Sequence, residues 1–400
     1  MIPAAAQAVP CAVCGGTRNE PLYRTRRRTG TAVGDVDVVV VQCADCGFAF
    51  NSPRLGIEEY RRYYSDTNLA SGQVFRDNRP GSYYSRLFAE RAAFLVPFLA
   101  RRSSGLVLDV GCGGGGFLSA LDLPSGWRKR GIEPSAKASA SARENGLDVV
   151  QGFAEDLLPA EAGSVDVLSL ISVVEHLWAP ADELAAMVSL LRPDGLLFIE
   201  VPNTLFPELS LTGFFSFEHV SHFTPHSLWR FLTRLGFAHV VFDPAPTRGI
   251  YLRCVAGRDP ASFEGAEIMP PADDRDALRG AVARYAEDEA RLLEGLERRV
   301  GAAFARWRAE GRKVAIYGAG LHTVHLDALY DIRANATLVL DGDPAKQGTT
   351  FLGLPVHGPQ DIDRLGIDAV LISSQRFTDE IAATVHRHSS RPVEVERCYD

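Results

Sequence analysis

Histidine is the side chain that takes up and returns a proton near neutral pH, and two segments of this chain present it. The first reads Phe214-Phe215-Ser216-Phe217-Glu218-His219-Val220-Ser221-His222-Phe223. It offers His219 as a general base, with Glu218 next to it to orient the ring. The second reads Val174-Glu175-His176-Leu177 and adds His176 as a polar group of the same site. His222 and His226 read as structural, and the phenylalanines as the core of a lid.

The cysteines carry a different chemistry. Four of the seven fall in two Cys-x-x-Cys pairs, Cys11 with Cys14 and Cys43 with Cys46, each followed by glycine. Thiolate pairs on tight turns suit a tetrahedral dication, and in a reducing compartment they hold zinc more often than disulfides. A closed four-thiolate site has no open coordination position, so the expected role of the zinc is structural. A redox pair would need a βαβ context that the surrounding residues do not provide.

The third pattern is a glycine turn. Residues 107–116 read VLDVGCGGGG, an apolar strand that meets an acid and then packed glycines. Gly111, Gly113 and Gly115 let a ligand approach the backbone without Cβ clashes. Glu133, at the end of the next predicted strand, can accept hydrogen bonds from both hydroxyls of a ribose. Dinucleotides and S-adenosylmethionine are both held on this plan. A dinucleotide turn spaces its glycines as GxGxxG, whereas Asp109, Gly111, Gly113 and Gly115 fall at every second position.

These groups need elements to position them. Four hundred residues, 46% hydrophobic and 23% charged, suit two or three globular domains. Val38 to Val41 reads as a strand that returns the second cysteine pair to the first. A module ending near residue 75, after Glu58-Glu59-Tyr60-Arg61-Arg62-Tyr63-Tyr64, precedes a helix at Tyr84–Leu99. Residues 76–260 then form the nucleoside-binding α/β domain. Thr224-Pro225 opens a helix that runs through Leu235 to Gly236, and Ile250 to Ala256 is the last strand. Residues 261–312 are a linker and one amphipathic helix from Asp273 to Trp307, with Leu278, Val282, Tyr285, Leu292, Leu296, Val300 and Phe304 on a stripe. Residues 313–400 form a second Rossmann-like α/β domain. Its strands are Lys313–Tyr317, Leu338–Asp341 and Asp368–Ser373, with a Gly318-Ala319-Gly320 turn that lacks the third glycine of a dinucleotide fingerprint.

The D-x-G-x-G-x-G turn resembles the first motif of class I S-adenosylmethionine-dependent methyltransferases. Later landmarks agree with that resemblance. Gly152-Phe153-Ala154-Glu155-Asp156-Leu157 is similar to the adenine-contacting segment, Ser164 to Leu168 to the fourth strand, Val174 to Leu177 to the following helix, and Leu191 to Gly195 to the turn before strand five. The resemblance implies a cofactor set of Asp109, Gly111, Gly113, Gly115, Glu133, Phe153, Ala154, Glu155 and Ile171. The order of cysteine module, methyltransferase core, helix and Rossmann-like domain resembles the three-domain sugar C-methyltransferases, as does Asp341-Gly342-Asp343-Pro344-Ala345-Lys346-Gln347-Gly348 near the end. That family implies a nucleotide-linked keto-sugar as substrate and His219 as the base that makes an enolate. Glu218 and His219 match its pattern, while Ser216 stands where it has a tyrosine, which leaves O- or N-methylation as the alternative.

Zinc-containing ribosomal-RNA methyltransferases form a further class. Arg24, Arg26, Arg27 and Arg28 could grip phosphates there, but the net charge of −8 and the absence of an N-P-P-Y-type motif after Leu170-Ile171 argue against a nucleic-acid partner. No apolar run has the length of a membrane span, and MIPAAAQAVPC lacks a charged start and a long apolar core. The expectation is a cytoplasmic monomer or homodimer with a small-molecule substrate and no membrane partner.

Overall fold

A computed structural model of the chain describes residues 9–28, 34–60, 82–211, 213–245 and 249–399. The boundary expected near residue 75, with Arg61-Arg62-Tyr63-Tyr64 before it, lies outside them. Two compact units form, Met1–Pro207 with Phe215–Ala283, and Glu208–Phe214 with Arg284–Asp400.

The first unit contains strands β1 (Asn19–Arg28), β2 (Asp35–Cys43), β3 (Ala49–Asn51), β4 (Ser104–Val110), β5 (Gly126–Glu133), β6 (Asp148–Gln151), β7 (Val165–Ile171), β8 (Leu191–Pro202), β9 (Ser221–His222), β10 (His239–Phe242) and β11 (Tyr251–Gly257). Seven of them make one sheet in the order β10-β11-β8-β7-β4-β5-β6. β4 to β8 run parallel, and β11 returns antiparallel to β8. Its central strands are apolar on both faces, as Val107, Leu108, Val167, Leu168 and Leu170 are fully buried. The chain builds outward from β4 to β6, then comes back across β4 to place β7. That reversal is a topological switch point, where α/β sheets bind ligands beyond the carboxyl ends of the strands. The α/β core is the one expected.

The cysteine module makes a smaller sheet, β1-β2-β3-β9. Its outermost strand, β9, comes from the histidine segment and pairs antiparallel with β3. Strand β2 is buried along nearly its whole length, so it needs cover on both faces. Cys11, Cys43, Cys46, Phe48 and Phe50 therefore belong to the same buried cluster as Leu168 and Leu197 of the larger sheet and Phe223 and Phe231 beside it. Module and sheet share one core.

Three elements before Pro202 differ from expectation. The helix expected at Tyr84–Leu99 is α-helical over Tyr83–Leu95, capped by Ser82, and tightens into a 3₁₀ turn at Val96–Leu99, where Pro97 breaks the hydrogen-bond ladder. Val174–His176 is a single 3₁₀ turn rather than a helix, and the next α-helix begins at Pro180. Leu191 to Gly195 is an irregular stretch within β8, since the register with β7 shifts between Val165 and Val167. The helix Pro225–Arg234 is as expected, with a capping box between Thr224 and Ser227.

A buried ion network ties the helix Tyr83–Leu95 to the sheet. Arg91 Nε donates to Glu200 Oε1 at 2.9 Å, Arg253 Nε to Glu200 Oε2 at 2.6 Å, and Arg253 Nη1 to Asp243 Oδ2 at 2.8 Å. Glu200 faces two guanidinium groups, which offsets the desolvation of its charge.

The expected single helix from Asp273 to Trp307 is an α-helix over Arg275–Leu296, a π-turn at Glu297–Gly301 and an α-helix over Ala302–Ala309. The second unit holds β12 (Val314–Tyr317), β13 (Leu338–Leu340), β14 (Thr350–Phe351), β15 (Leu354–His357), β16 (Ala369–Ile372) and β17 (Glu394–Arg397), in the order β14-β15-β13-β12-β16-β17. All are parallel except β14. At its glycine turn, Asp341 Oδ2 accepts from Ala319 N at 2.9 Å and from Lys346 Nζ at 2.8 Å, and Oδ1 accepts from Asp343 N at 2.9 Å. Three protein donors thus take up most of the acceptor capacity of the acid at this turn.

Candidate active site

The glycine turn leaves β4 at the switch point. Gly111 has φ 68° and Gly115 φ 77°, in the left-handed region that favours glycine. A Cβ on Gly111 would lie 2.9 Å from Val173 Cγ2, and one on Gly115 would lie 2.0 Å from Leu147 Cδ1, so the turn admits no side chain at either position. Glu133 ends β5 beside it. Its Oε2 accepts from Gly113 N at 2.9 Å and its Oε1 from Ser135 N at 2.8 Å, while burial raises its pKa. Each carboxylate oxygen keeps a second lone pair for an outside donor. Asp109 is buried, and its Oδ1 accepts from Ser169 Oγ at 2.6 Å. Burial pushes its pKa up to about 7, against the opposing Ser169 bond and the Arg91 charge.

The other expected cofactor residues follow neighbouring strand ends. β6 pairs with β5 so that Gln151 stands opposite Glu133, and Gly152-Phe153 continues from that point. Phe153 is 61% exposed, an uncovered aromatic face at the edge where a base would stack. Ala154 is buried, Glu155 is exposed, and Phe153 N donates to Asp156 Oδ2 at 2.8 Å. Ile171 ends β7, and Ser172 after it takes φ 54°, unusual for a residue with a side chain. The turn, the acid and the aromatic thus sit on consecutive strand ends, a fit for the nucleoside of S-adenosylmethionine.

The two histidine segments meet. The rings of His176 and His219 stand edge to face with centroids 4.7 Å apart. His176 Nδ1 lies 3.2 Å from the Glu218 carbonyl, and Tyr60 Oη donates to the carbonyls of His176 at 2.5 Å and Glu218 at 2.9 Å. Desolvation and then the neighbouring His219 hold His176 below the ordinary imidazole value. Glu175 is 1% exposed and neither of its oxygens has a hydrogen-bond partner. Burial pushes it up to about 8, and its Oε1 is 3.8 Å from His176 Nε2. Polar atoms of Glu175, His176 and His219 lie within 4.8 Å of one another. Such a set places an imidazole and a carboxyl directly beside His219. Glu175, Tyr60 and Asn51 are the residues that the sequence reading did not single out.

His222 is 2% exposed and its Nε2 lies 2.9 Å from Asn51 Oδ1, while His226 Nδ1 lies 3.0 Å from the Pro271 carbonyl. Burial, then the His219 charge, pushes His222 down to about 3. Folding therefore favours its neutral form, and the stability this gives is complete above the unfolded value of about 6.5. Below that pH the unfolded chain binds the extra proton, and stability falls by about 1.4 kcal/mol per pH unit for this ring. Wild type should exceed His222→Gln in stability at pH 7, with a gap that narrows by about 2 kcal/mol between pH 6.5 and 5 in urea titrations. A constant gap would show that His222 protonates in the fold as readily as in the unfolded chain.

The four cysteines of the pairs come together. Cys11 and Cys46 Sγ are 3.4 Å apart, Cys14 and Cys43 Sγ are 3.5 Å apart, and all four lie within 4.8 Å of one another. A tetrahedron of sulfurs about 2.3 Å from zinc has edges of about 3.8 Å, so these spacings fit. Each pair sits on a turn of the same build. Gly15 N donates to the Cys11 carbonyl at 2.7 Å, and Gly47 N to the Cys43 carbonyl at 2.9 Å. In the arginine strand, Arg26 pairs with Asp35 at 3.5 Å and Arg27 Nε donates to the Phe215 carbonyl at 3.4 Å, which makes those charges intramolecular.

Residues 81–241 match the family model described as a methyltransferase domain. The chain is 36% identical over 115 residues to the ubiquinone biosynthesis O-methyltransferase of Aromatoleum aromaticum, covering 26% of this chain and 49% of that one. It is 31% identical over 165 residues to the protein of the same name from Ralstonia nicotianae, covering 38% and 68%. The chain spans about half the length of most of the curated relatives it matches. Among solved structures, the CurJ carbon methyltransferase is similar at 16% identity and a TM-score of 0.38, covering 44% of this chain and 56% of that one. No helix among the described residues is long and apolar enough to cross a membrane.

Proposed function

We propose, for a chain that belongs to the S-adenosylmethionine-dependent methyltransferases, that it methylates a small molecule from which His219 takes a proton. The observation that carries this reading is the meeting of the His176 and His219 rings, brought together from the segments that follow β7 and β8. S-adenosylmethionine, when bound, supplies a methyl group on a sulfonium. Gly111, Gly113 and Gly115 give it room against the backbone, Glu133 takes the ribose, and Phe153, Ala154, Glu155 and Ile171 surround the adenine. Asp109 holds the strand end through Ser169. Glu133→Ala should weaken cofactor binding by roughly 1.5–3 kcal/mol in calorimetry, with Glu133→Gln intermediate. Equal affinities would remove the ribose role.

The substrate proposed is a nucleotide-linked keto-sugar. His219 removes the proton beside the ketone and keeps it, the His176 ring stands against it, and the carbon left behind is the nucleophile. The cysteine module built against the histidine segment and the Rossmann-like second unit support this choice, because both belong to the three-domain resemblance. The four thiols are proposed to hold one structural zinc. A second reading, O-methylation, is favoured by the ubiquinone O-methyltransferase relatives and by Ser216, whose hydroxyl accepts from His219 N at 3.2 Å where a tyrosine was expected. Purified protein with S-adenosylmethionine and two panels, nucleotide-linked keto-sugars and hydroxylated aromatics, tests the choice by mass spectrometry. A product only in the second panel would replace the first reading with the second.

A further inference from the structure

We infer that Asn51, a residue of the cysteine module, is the positioning residue of the proton-transfer site, holding the segment Ser216–His222 so that His219 meets His176. The inference rests on His219 acting as the base.

Asn51 ends β3 and is 2% exposed. Its Nδ2 donates to the carbonyls of Ser216 at 2.8 Å and His219 at 3.0 Å, and its Oδ1 lies 2.9 Å from His222 Nε2. Its backbone N donates to the Val220 carbonyl at 2.9 Å, and β3 pairs with β9 at Ala49–His222 and Phe50–Ser221. One side chain therefore bonds three points of the loop that carries the base. An amide is suited to this because it offers two donors and an acceptor on one planar group. The orientation is fixed by its partners, since a flipped amide would set its oxygen against two carbonyls. With Oδ1 as the acceptor, His222 must carry its proton on Nε2. Tyr60 adds a second tie from the same part of the chain, to the carbonyls of His176 and Glu218. Only Gly47-Phe48 separates Cys46 from strand β3, which pairs with the base's segment, so the thiol cluster and that segment are joined through one strand.

A residue that only stabilises the fold would lower the melting temperature and leave the surviving active sites unchanged. A positioning residue alters the base itself. Asn51→Ala should lower kcat by about ten- to a hundredfold, the scale expected of a misplacement near 1 Å, with little change in KM or in cofactor affinity. Asn51→Asp puts a carboxylate beside the histidines, which favours the protonated ring. The acidic limb of its kcat/KM profile should move to higher pH, a shift that Asn51→Ala lacks. In the wild-type chain, ¹⁵N NMR of the histidine rings should report His222 protonated on Nε2, and this reading needs no variant to fold. His222 protonated on Nδ1 would overturn the inference. Full activity in His219→Asn overturns both the base and its positioning residue. An inactive His219→Asn with wild-type kcat and pH profile in Asn51→Ala and Asn51→Asp overturns the positioning role alone.

Discussion

Cys46→Ser is expected to abolish zinc retention and to destabilise the first unit by more than about 4 kcal/mol, the range in which loss of a metal site falls. Metal binding by such sites is folding free energy, because the ligands are brought together only in the fold. Here the effect should extend beyond the module. Cys46 is 1% exposed and packs in one cluster with Phe50, Leu168 and Phe223, so releasing the second turn disturbs the core under β7 as well. Elemental analysis should give about one zinc per wild-type chain and far less in the variant. Urea unfolding followed by near-ultraviolet circular dichroism reads the stability. A metal-free chain with an unchanged unfolding midpoint would remove zinc from the account and leave three buried thiols and one half-buried. Arg26→Ala, which removes pairs with the exposed Asp35 and the half-buried Asp37, serves as the control because surface pairs contribute about 0–1 kcal/mol.

Local chemistry made part of this molecule legible in its sequence. The glycine alternation after Asp109 sets a backbone turn within one stretch of chain. The Thr224-Pro225 cap and the terminating Gly236 do the same for a helix, and the structure has both. The two cysteine turns were equally local, each closed by a glycine N–H on the first cysteine's carbonyl. The alternation of β4, β5 and β7 with intervening helices followed from apolar runs of strand length ending in acids or turns.

The remainder depends on pairings between distant parts of the chain. Asn51 and its loop partners are separated by 165 to 171 residues, and nothing within the stretch Phe50-Asn51-Ser52 signals a buried amide with three bonds. Glu175 lies in plain view in the sequence, but its burial with no partner depends on β8 and the histidine loop closing over it. Val174–His176 resembles the family's helix after strand four, yet it makes only one turn. The left-handed Ser172 before it and Pro180 after it confine regular structure to a single turn. Leu191 to Gly195 misled for the opposite reason. Pro193 and Gly195 are turn residues, yet the excess length is absorbed as an irregularity against β7. Turn chemistry predicts where a ladder breaks, while neighbouring strands decide whether the chain leaves the sheet.

His219→Asn is expected to lower turnover by about 10²–10⁴-fold while cofactor affinity stays at the wild-type level, since a positioned general base contributes on that scale. The argument begins with placement. His219 stands in the segment after β8, on the side of the switch point that β7 delivers His176 to, and the rings meet at 4.7 Å. Asparagine keeps the polarity and roughly the size of the ring's first half but cannot accept a proton near neutral pH, so the chemical step should suffer and binding should not. The nature of the methylated atom gives a sharper test. In heavy water, with a cofactor analogue that cannot donate its methyl group, the wild type should exchange the proton beside a ketone of the bound sugar, and His219→Asn should not. Exchange without transfer shows that the base works before and apart from methylation. If the wild type exchanges nothing and the product carries its methyl on oxygen, the carbon nucleophile is lost and His219 becomes the base for a hydroxyl. If His219→Asn keeps full activity, the proton goes elsewhere, and the search for the base moves to His176, whose ring meets that of His219, and to His222.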